Sequence, residues 1–131
     1  VYSGEDPIAR VGFPDKQGQS SYYTANITEA DSKLVDQFCQ KKDISPLNTR
    51  LDKDAQGNFE LKICSAQKDD KILKYLGTHD YEGVKVTVSS EDFSVFMRDV
   101  VASLEEAVKY AANEHQQKMV QDYIEHFRFG E

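Results

Sequence analysis

The C-terminal part of the chain places the strongest constraint on its fold. Between Ser89 and Phe127, apolar residues recur at the spacing that places them on one face of an α-helix. They are Phe93, Phe96, Met97, Val100, Val101, Leu104, Ala107, Val108, Ala111, Met119, Val120, Tyr123, Ile124 and Phe127. Ser89 and Asp92 have the spacing of a capping box, which predicts that the helix starts there. Asn113 is a candidate break between two consecutive helices, because Asn is a common C-cap residue.

Short strands and one further helix are predicted upstream of this segment. Residues 8–13 and 20–25 are predicted strands on either side of a turn at residues 14–18, where Pro and Gly favour a turn. Thr28 with Asp31 forms a second capping-box pattern and predicts a helix that ends near Lys42. The predicted buried stripe of this helix consists of Leu34, Val35 and Phe38.

The middle of the chain alternates between apolar and polar residues, as half-buried strands do. Residues 47–53 and 59–63 are predicted strands joined by a hairpin loop at residues 54–58. Residues 73–81 are ambiguous, with an extended end near Tyr81. A further strand is predicted from the alternation of Val84, Val86 and Val88.

These elements predict an α+β fold for residues 1–131, as a single domain or subdomain. We expect a small, mostly antiparallel sheet or partial barrel, with packed helices and a long C-terminal helical segment. The chain begins at Val1, and it ends four residues after Phe127. These two ends lead us to expect a fragment of a larger protein.

Charge and cysteine content restrict the classes of partner and the compartment. The 16 basic and 23 acidic residues give a net charge of −7, which repels phosphate backbones and anionic lipid. We therefore expect no nucleic-acid and no membrane partner. Cys39 and Cys64 are too few for a disulfide framework and are predicted to be small, partly buried hydrophobes. This favours a reducing, cytoplasmic location.

No pattern in the chain predicts a catalytic or metal-binding residue. His115 and His126 lie 11 residues apart, about 16 Å along a continuous helix, which is too far for one metal ion. Residues 52–57 imitate half of a calcium loop, but Ile63 stands where a bidentate carboxylate is required. Nucleophile elbows and phosphate-binding glycine loops are absent from the sequence. Residues that would bind a substrate are not assigned.

Three ordered stretches carry a family resemblance. Residues 21–31 combine an aromatic strand with a capped helix, and residues 48–51 read Asn-Thr-Arg-Leu ahead of a hairpin. Residues 110–116 read Tyr-Ala-Ala-Asn-Glu-His-Gln and are followed by Met119, Tyr123-Ile124-Glu125 and Phe127. In this order and spacing, across nearly the whole chain, they resemble the dipeptidyl peptidase III family of zinc metallopeptidases.

The resemblance implies a two-lobed parent enzyme that removes dipeptides from the N-termini of short peptides. Its zinc would be held by two histidines of a His-Glu-x-x-Gly-His motif and a later glutamate. These elements are absent from this sequence, so we expect no cofactor in this segment and zinc in the parent. The matching region belongs to the lower lobe, and its partner would be the rest of the parent chain. Asn48, Thr49 and Arg50 are interpreted as structural residues at the start of a strand.

Two hypotheses follow for the function. The first is a non-catalytic structural segment of a cytoplasmic, zinc-dependent dipeptidyl peptidase. The second is a free-standing α+β binding or interaction module without catalysis. A His-Glu-x-x-Gly-His motif downstream of Glu131 would favour the first, and a stop codon there would favour the second.

Overall fold

The computed structural model describes residues 11–69 and 74–130, which form four strands and three α-helices. In chain order these are α1 Glu29–Lys42, β1 Thr49–Lys53, β2 Phe59–Cys64, β3 Gly77–Tyr81, β4 Val84–Asp92, α2 Ser94–Ala107 and α3 Glu114–Phe129. Short 3-10 helices occur at Pro14–Lys16 and Val108–Tyr110. This succession of elements confirms the predicted α+β class.

The four strands form one mixed sheet in the order β1-β2-β4-β3. The outer pairs are hairpins, and Glu82 and Gly83 both have positive φ, as the tight turn between β3 and β4 requires. The central pair is parallel. The Lys85 amide donates to the Asn58 side-chain oxygen at 3.2 Å, and the Ser65 amide donates to the Asp92 carbonyl at 3.3 Å. The two bonded residues are 27 positions apart in the sequence at each end of the strand pair. Because this separation is constant, β2 and β4 run in the same direction.

The sheet is therefore mostly antiparallel, as predicted, and it is not closed. Its buried positions follow the alternation in the sequence. Phe59, Leu61 and Ile63 are buried along β2, and Val86 and Val88 along β4. One face of each central strand is thus apolar, which is the pattern of a sheet covered on one side.

Two compact units can be distinguished in the chain. The first unit comprises Val1–Leu61 and Thr78–Thr87, and the second comprises Lys62–Gly77 and Val88–Glu131. In the first unit, Phe38 of α1 is fully buried, and its ring lies 5.5 Å from the rings of both His79 and Tyr81. The predicted stripe of α1 is confirmed for Val35 and Phe38, whereas Leu34 is half-buried.

The second unit is built around α2 and α3. Ala66, Val101 and Ile124 form its buried cluster. The partly buried side chains packed against this cluster are Met97, Leu104, Val108, Val120 and Phe127. The amides of Ala66 and Gln67 each donate at 3.0 Å to carbonyls at the end of α3, those of Phe127 and Arg128. These bonds fix the end of α3 to the segment that follows β2.

The prediction of two N-terminal strands is wrong within the described residues, and residues 8–10 lie outside them. Val11 makes a single bridge with Gln19, and Tyr23 makes a single bridge with Leu51. Residues 20–25 do not extend this pairing because the chain turns. The Ile27 amide donates to the Thr24 carbonyl at 3.1 Å, and the Thr24 hydroxyl donates to the Asn26 side chain at 2.7 Å. Of the ambiguous stretch, residue 73 also lies outside the described residues, and Gly77–Tyr81 is extended.

The predicted helix start at Ser89 is wrong, because β4 continues to Asp92. Ser65 explains the difference. Its hydroxyl accepts from the Glu91 amide at 2.9 Å, and its own amide donates to the Asp92 carbonyl at 3.3 Å. These bonds hold residues 91 and 92 in the strand. The helix then begins after Phe93, whose left-handed backbone (φ 54°) ends the strand.

The predicted break at Asn113 is confirmed, but Asn113 caps the start of a helix and not its end. The α2 helix ends at Ala107 and is followed by the 3-10 turn. The Asn113 side chain accepts from the Gln116 amide at 2.9 Å, which satisfies a free donor of the first turn of α3. At the other end of α3, Gly130 adopts φ 84° as a left-handed cap.

Candidate functional site

The three histidines lie on two different elements. His115 and His126 occupy opposite ends of α3, and His79 lies on β3 with its ring against Phe38. The His126 ring lies 5.2 Å from the ring of Phe127. Within residues 11–69 and 74–130, no group of three or more His, Cys, Asp or Glu side chains is arranged to hold a metal ion.

The Asn-Thr-Arg-Leu stretch lies where β1 begins. The Thr49 hydroxyl donates to the Pro46 carbonyl at 2.8 Å, and the Thr49 amide donates to the same carbonyl at 3.3 Å. Leu51 forms hydrogen bonds with residues 22–24, and its amide donates to the Tyr22 carbonyl at 2.8 Å. Asn48, Thr49 and Arg50 are half-buried. The geometry around Thr49 is that of a turn that starts a strand.

The Asp54–Asn58 loop closes a hairpin. The Asp54 carboxylate accepts from the amides of Gln56 and Asn58 at 2.9 and 2.8 Å, and from the Asn58 side-chain nitrogen at 3.1 Å. These bonds, above all that from the Asn58 side chain, lower the pKa of Asp54. Its oxygens therefore bind loop donors. The loop has the hairpin geometry that was predicted, with strands on both sides.

Lys53 connects several segments of the first unit, a role that the sequence did not predict. Its ammonium lies 2.8 Å from the Asp31 carboxylate, and the two side chains are only 23% and 14% exposed. Its amide donates to the Thr24 hydroxyl at 3.0 Å, and its carbonyl accepts from the Asn26 side chain at 3.0 Å. One residue at the end of β1 is thus bonded to the segment before α1 and to α1 itself.

Asp31 combines this ion pair with the predicted capping box. The Thr28 hydroxyl accepts from the Asp31 amide at 3.2 Å, and the Asp31 carboxylate accepts from the Thr28 amide at 2.8 Å. Burial alone would raise the pKa of Asp31, but hydrogen bonds from Lys53 and Thr28 outweigh it and lower the pKa. Asp31 is therefore ionised at neutral pH and serves as an anchor for the helix start.

Cys39 is buried on α1 and Cys64 is half-buried at the end of β2, and the two are not joined in a disulfide. Burial, with a smaller contribution from the charge of Asp36, raises the pKa of the Cys39 thiol to about 11. Cys39 is therefore protonated near neutral pH. Since the thiolate is the reactive form, Cys39 does not have the character of a catalytic nucleophile.

The first unit contains a cavity of about 260 Å³. Its lining combines α1, β1 and the tyrosines of the 22–23 segment, with Cys39 on one wall and Leu47 on another. Asp36 is the one carboxylate among the described residues that line it. A second concavity of about 610 Å³ lies over the β1–β2 hairpin, where Lys53 contributes to the wall. Among the described residues, neither lining includes a histidine.

The described helices include none that is both long enough and apolar enough to cross a membrane. The contacts around Lys53, Asp31 and Thr49 hold separate segments of the first unit together.

Comparison with known proteins gives consistent matches. The model for "Peptidase family M49" matches residues 1–131. Dipeptidyl peptidase 3 of Dictyostelium discoideum is 35% identical over 130 residues, which cover 99% of this chain and 18% of that protein. The protein of the same name from Homo sapiens is 31% identical over 139 residues, covering 99% and 19%. That from Nematostella vectensis is 28% identical over 143 residues, covering 99% and 20%. The chain thus spans about a fifth of the length of these relatives.

Proposed function

Because the chain belongs to peptidase family M49, we propose that it is a non-catalytic structural segment of a zinc-dependent, dipeptidyl peptidase III-like exopeptidase. The parent enzyme would release dipeptides from the N-termini of short peptides. Membership of the family confirms the resemblance carried by the three motif stretches. The observation that carries the proposal is the family match over residues 1–131, combined with coverage of about a fifth of the relatives.

The described residues do not fit a zinc site in this segment. His115 and His126 lie too far apart along α3, and His79 is in contact with the buried ring of Phe38. The sequence also lacks the His-Glu-x-x-Gly-His motif. The zinc of the parent enzyme, whose chemistry is to activate water for peptide hydrolysis, would then be bound outside these 131 residues.

The role proposed for the segment is to provide a rigid framework for the parent. Support comes from the bonds that join separate elements in the first unit. The pair formed by Lys53 and Asp31 connects β1 to the start of α1, and Thr49 fixes the turn before β1. The partner would be the rest of the parent chain, and the location would be the cytoplasm.

The structural interpretation of Arg50 gives a direct prediction. Arg50→Ala in the parent enzyme should lower the midpoint of urea unfolding while leaving kcat/KM for dipeptide release within about twofold, since a residue that fixes the start of a strand acts on stability. Thr49→Val, which removes the hydroxyl bonded to Pro46, is a matched comparison at the same strand. A large loss of kcat/KM in an Arg50→Ala protein with unchanged unfolding would contradict a structural role.

The decisive experiment begins with the coding sequence beyond Glu131. A His-Glu-x-x-Gly-His motif downstream, followed by zinc and dipeptide release in the purified longer product, is the expected result. The 131-residue chain assayed beside it should release no dipeptide and bind no zinc stoichiometrically. Dipeptide release by the 131-residue chain, or a stop codon directly after Glu131, would overturn the proposal and favour a free-standing module.

A further inference from the structure

One side of α3 carries apolar side chains that the core of the second unit does not use. Met119 and Tyr123 lie one helical turn apart and are 49% and 48% exposed. They line a shallow groove of about 550 Å³ together with His115, Lys118, Asp122 and His126. We call Met119, Tyr123 and the two flanking histidines the α3 outer strip.

Helix geometry separates this strip from the face that packs inward. Successive residues of an α-helix are rotated by about 100° around its axis. One side of α3 therefore carries Val120, Ile124 and Phe127, and Met119 points well away from that side. Val120, Ile124 and Phe127 belong to the buried cluster or pack against it. Met119 and Tyr123 belong to the same family-matching stretch as Ile124 and Phe127, yet the internal core does not account for them.

The strip is held in place and carries little unpaired charge. The Tyr123 ring stacks on Phe127, with centroids 6.4 Å apart and planes at 22°. Phe127 is fixed in turn by its packing on the cluster and by the bond to the Ala66 amide. Lys118 and Asp122 beside the strip form an ion pair with each other. An apolar occupant fits this surface better than a charged one, because the neighbouring charges are already matched.

We propose that the α3 outer strip is the docking site for an apolar-faced helix from the remainder of the same, longer polypeptide. This inference rests on the proposed function. The chain spans about a fifth of its relatives, so most of such a protein is available to cover the strip. The strip is about three turns long, which suits a second helix packing its side chains between Met119 and Tyr123. An apolar groove is the kind of surface to which the apolar face of an amphipathic helix binds.

The test is the rate at which peroxide oxidises Met119 in the natural full-length product. Oxidation is followed by mass spectrometry of the Met119 peptide in native protein and in urea. Docking should make the native rate at least about tenfold slower than the unfolded rate, because the sulfur is then shielded from solvent. The ratio should be the same at low and high protein concentration. A native rate within about threefold of the unfolded rate overturns the inference, as does shielding that grows with concentration, which indicates a second copy.

A pair of variants gives an independent readout. Met119→Asp places a carboxylate in the strip, and Gln121→Asp adds the same charge to an exposed position on the other side of α3. In the full-length product, Met119→Asp should lower Tm by at least about 2 °C more than Gln121→Asp. Equal effects of the two variants count against docking.

The outcomes separate this inference from the proposed function. A longer product that releases dipeptides but shows fast Met119 oxidation overturns the docking site alone. A natural product that ends at Glu131 removes the occupant and overturns both proposals, and the intact mass of the protein reveals that case.

Discussion

The two compact units differ in how completely they bury their large apolar side chains. In the first unit, α1 and the first hairpin bury large side chains such as Phe38 and Phe59, and polar groups bond to one another around Lys53. The second unit has a small buried cluster and leaves many large apolar side chains in solvent. Among the described residues, nine large hydrophobic residues are exposed, and six of these nine lie between Phe93 and Tyr123. They are Phe93, Val95, Phe96, Tyr110, Met119 and Tyr123.

This difference shows which unit presents more large apolar side chains to solvent. The first unit buries Phe38 and Phe59 and bonds the polar groups around Lys53 with its own residues, while Val11, Tyr22 and Leu47 are exposed. The second unit presents surfaces that are typical of protein contacts. We infer that mutations in the first unit act through local packing, and that mutations on the outer face of the second act through whatever covers it.

The largest effect should separate two phenylalanines. Phe38→Ala removes a side chain with no exposed surface and should cost about 3–5 kcal/mol, because a cavity remains beside His79 and Tyr81. Phe96→Ala truncates a residue that is 65% exposed and should cost less than about 1 kcal/mol if solvent surrounds it. Urea unfolding of both variants measures the contrast. A Phe96→Ala loss as large as that of Phe38→Ala would show that the second unit is covered there.

Two glycines provide the next comparison. A Cβ added at Gly130 would lie 2.4 Å from Ile63 Cγ2 and 3.0 Å from the Cys64 carbonyl oxygen, whereas one added at Gly57 meets nothing within 4 Å. Both residues have positive φ, so alanine strains the backbone at each. Gly130→Ala should therefore cost about 1–3 kcal/mol more than Gly57→Ala. Equal thermal stability of the two variants would mean that the end of α3 can shift away from Ile63 and Cys64 at little cost in free energy.

The smallest effect concerns the ion pair of the first unit. Lys53→Met should cost about 1 kcal/mol at pH 7, because the pair is only partly shielded from water. The pKa of Asp31 is lower in the folded than in the unfolded chain, so the stabilisation is present above about pH 4 and is lost as the pH falls through the folded value. The difference between wild type and variant should accordingly begin to shrink below about pH 4, near the unfolded pKa of aspartate, and shrink further as the pH falls through the lower folded value.

Urea titrations at several pH values check this sign, and Lys33→Met is the control. Lys33 pairs with Glu29 at 2.8 Å on an exposed surface. Hydrogen bonds from Lys16 and then Lys33 lower the pKa of Glu29 to about 2, but water screens these charges. The control should change stability less than Lys53→Met. A variant difference that grows toward low pH would contradict the role assigned to Asp31.

The sequence predicted those elements whose signals are local. The Thr28–Asp31 capping box and the alternation of Phe59, Leu61 and Ile63 each depend on a few neighbouring residues, and both were found. The hairpin loop at Asp54 follows from its turn residues in the same way. The family emerged from three short motifs.

The remaining features depend on residues far apart in the chain. Ser89 has the pattern of a helix cap, but hydrogen bonds with Ser65 hold Glu91 and Asp92 in the strand. A local sequence pattern cannot reveal this contact, because Ser65 lies 26 residues away from Glu91 in the sequence. The isolated pairing of Tyr23 with Leu51 and the ion pair of Lys53 with Asp31 are also non-local. Lys53 alternates as an ordinary half-buried strand residue, so its several partners were visible only in three dimensions.

The parallel pairing of β2 with β4 has a consequence for how the chain folds. Each hairpin closes a short loop, whereas the parallel pair joins residues 27 positions apart and costs more chain entropy. We expect the two hairpins to form first and the parallel pair to form in a later, rate-limiting step. Pulsed hydrogen exchange during refolding should then protect the Asp54 amide, bonded across the first hairpin, before the Ser65 amide, which bonds Asp92. Simultaneous protection would show instead that the sheet condenses as one cooperative element.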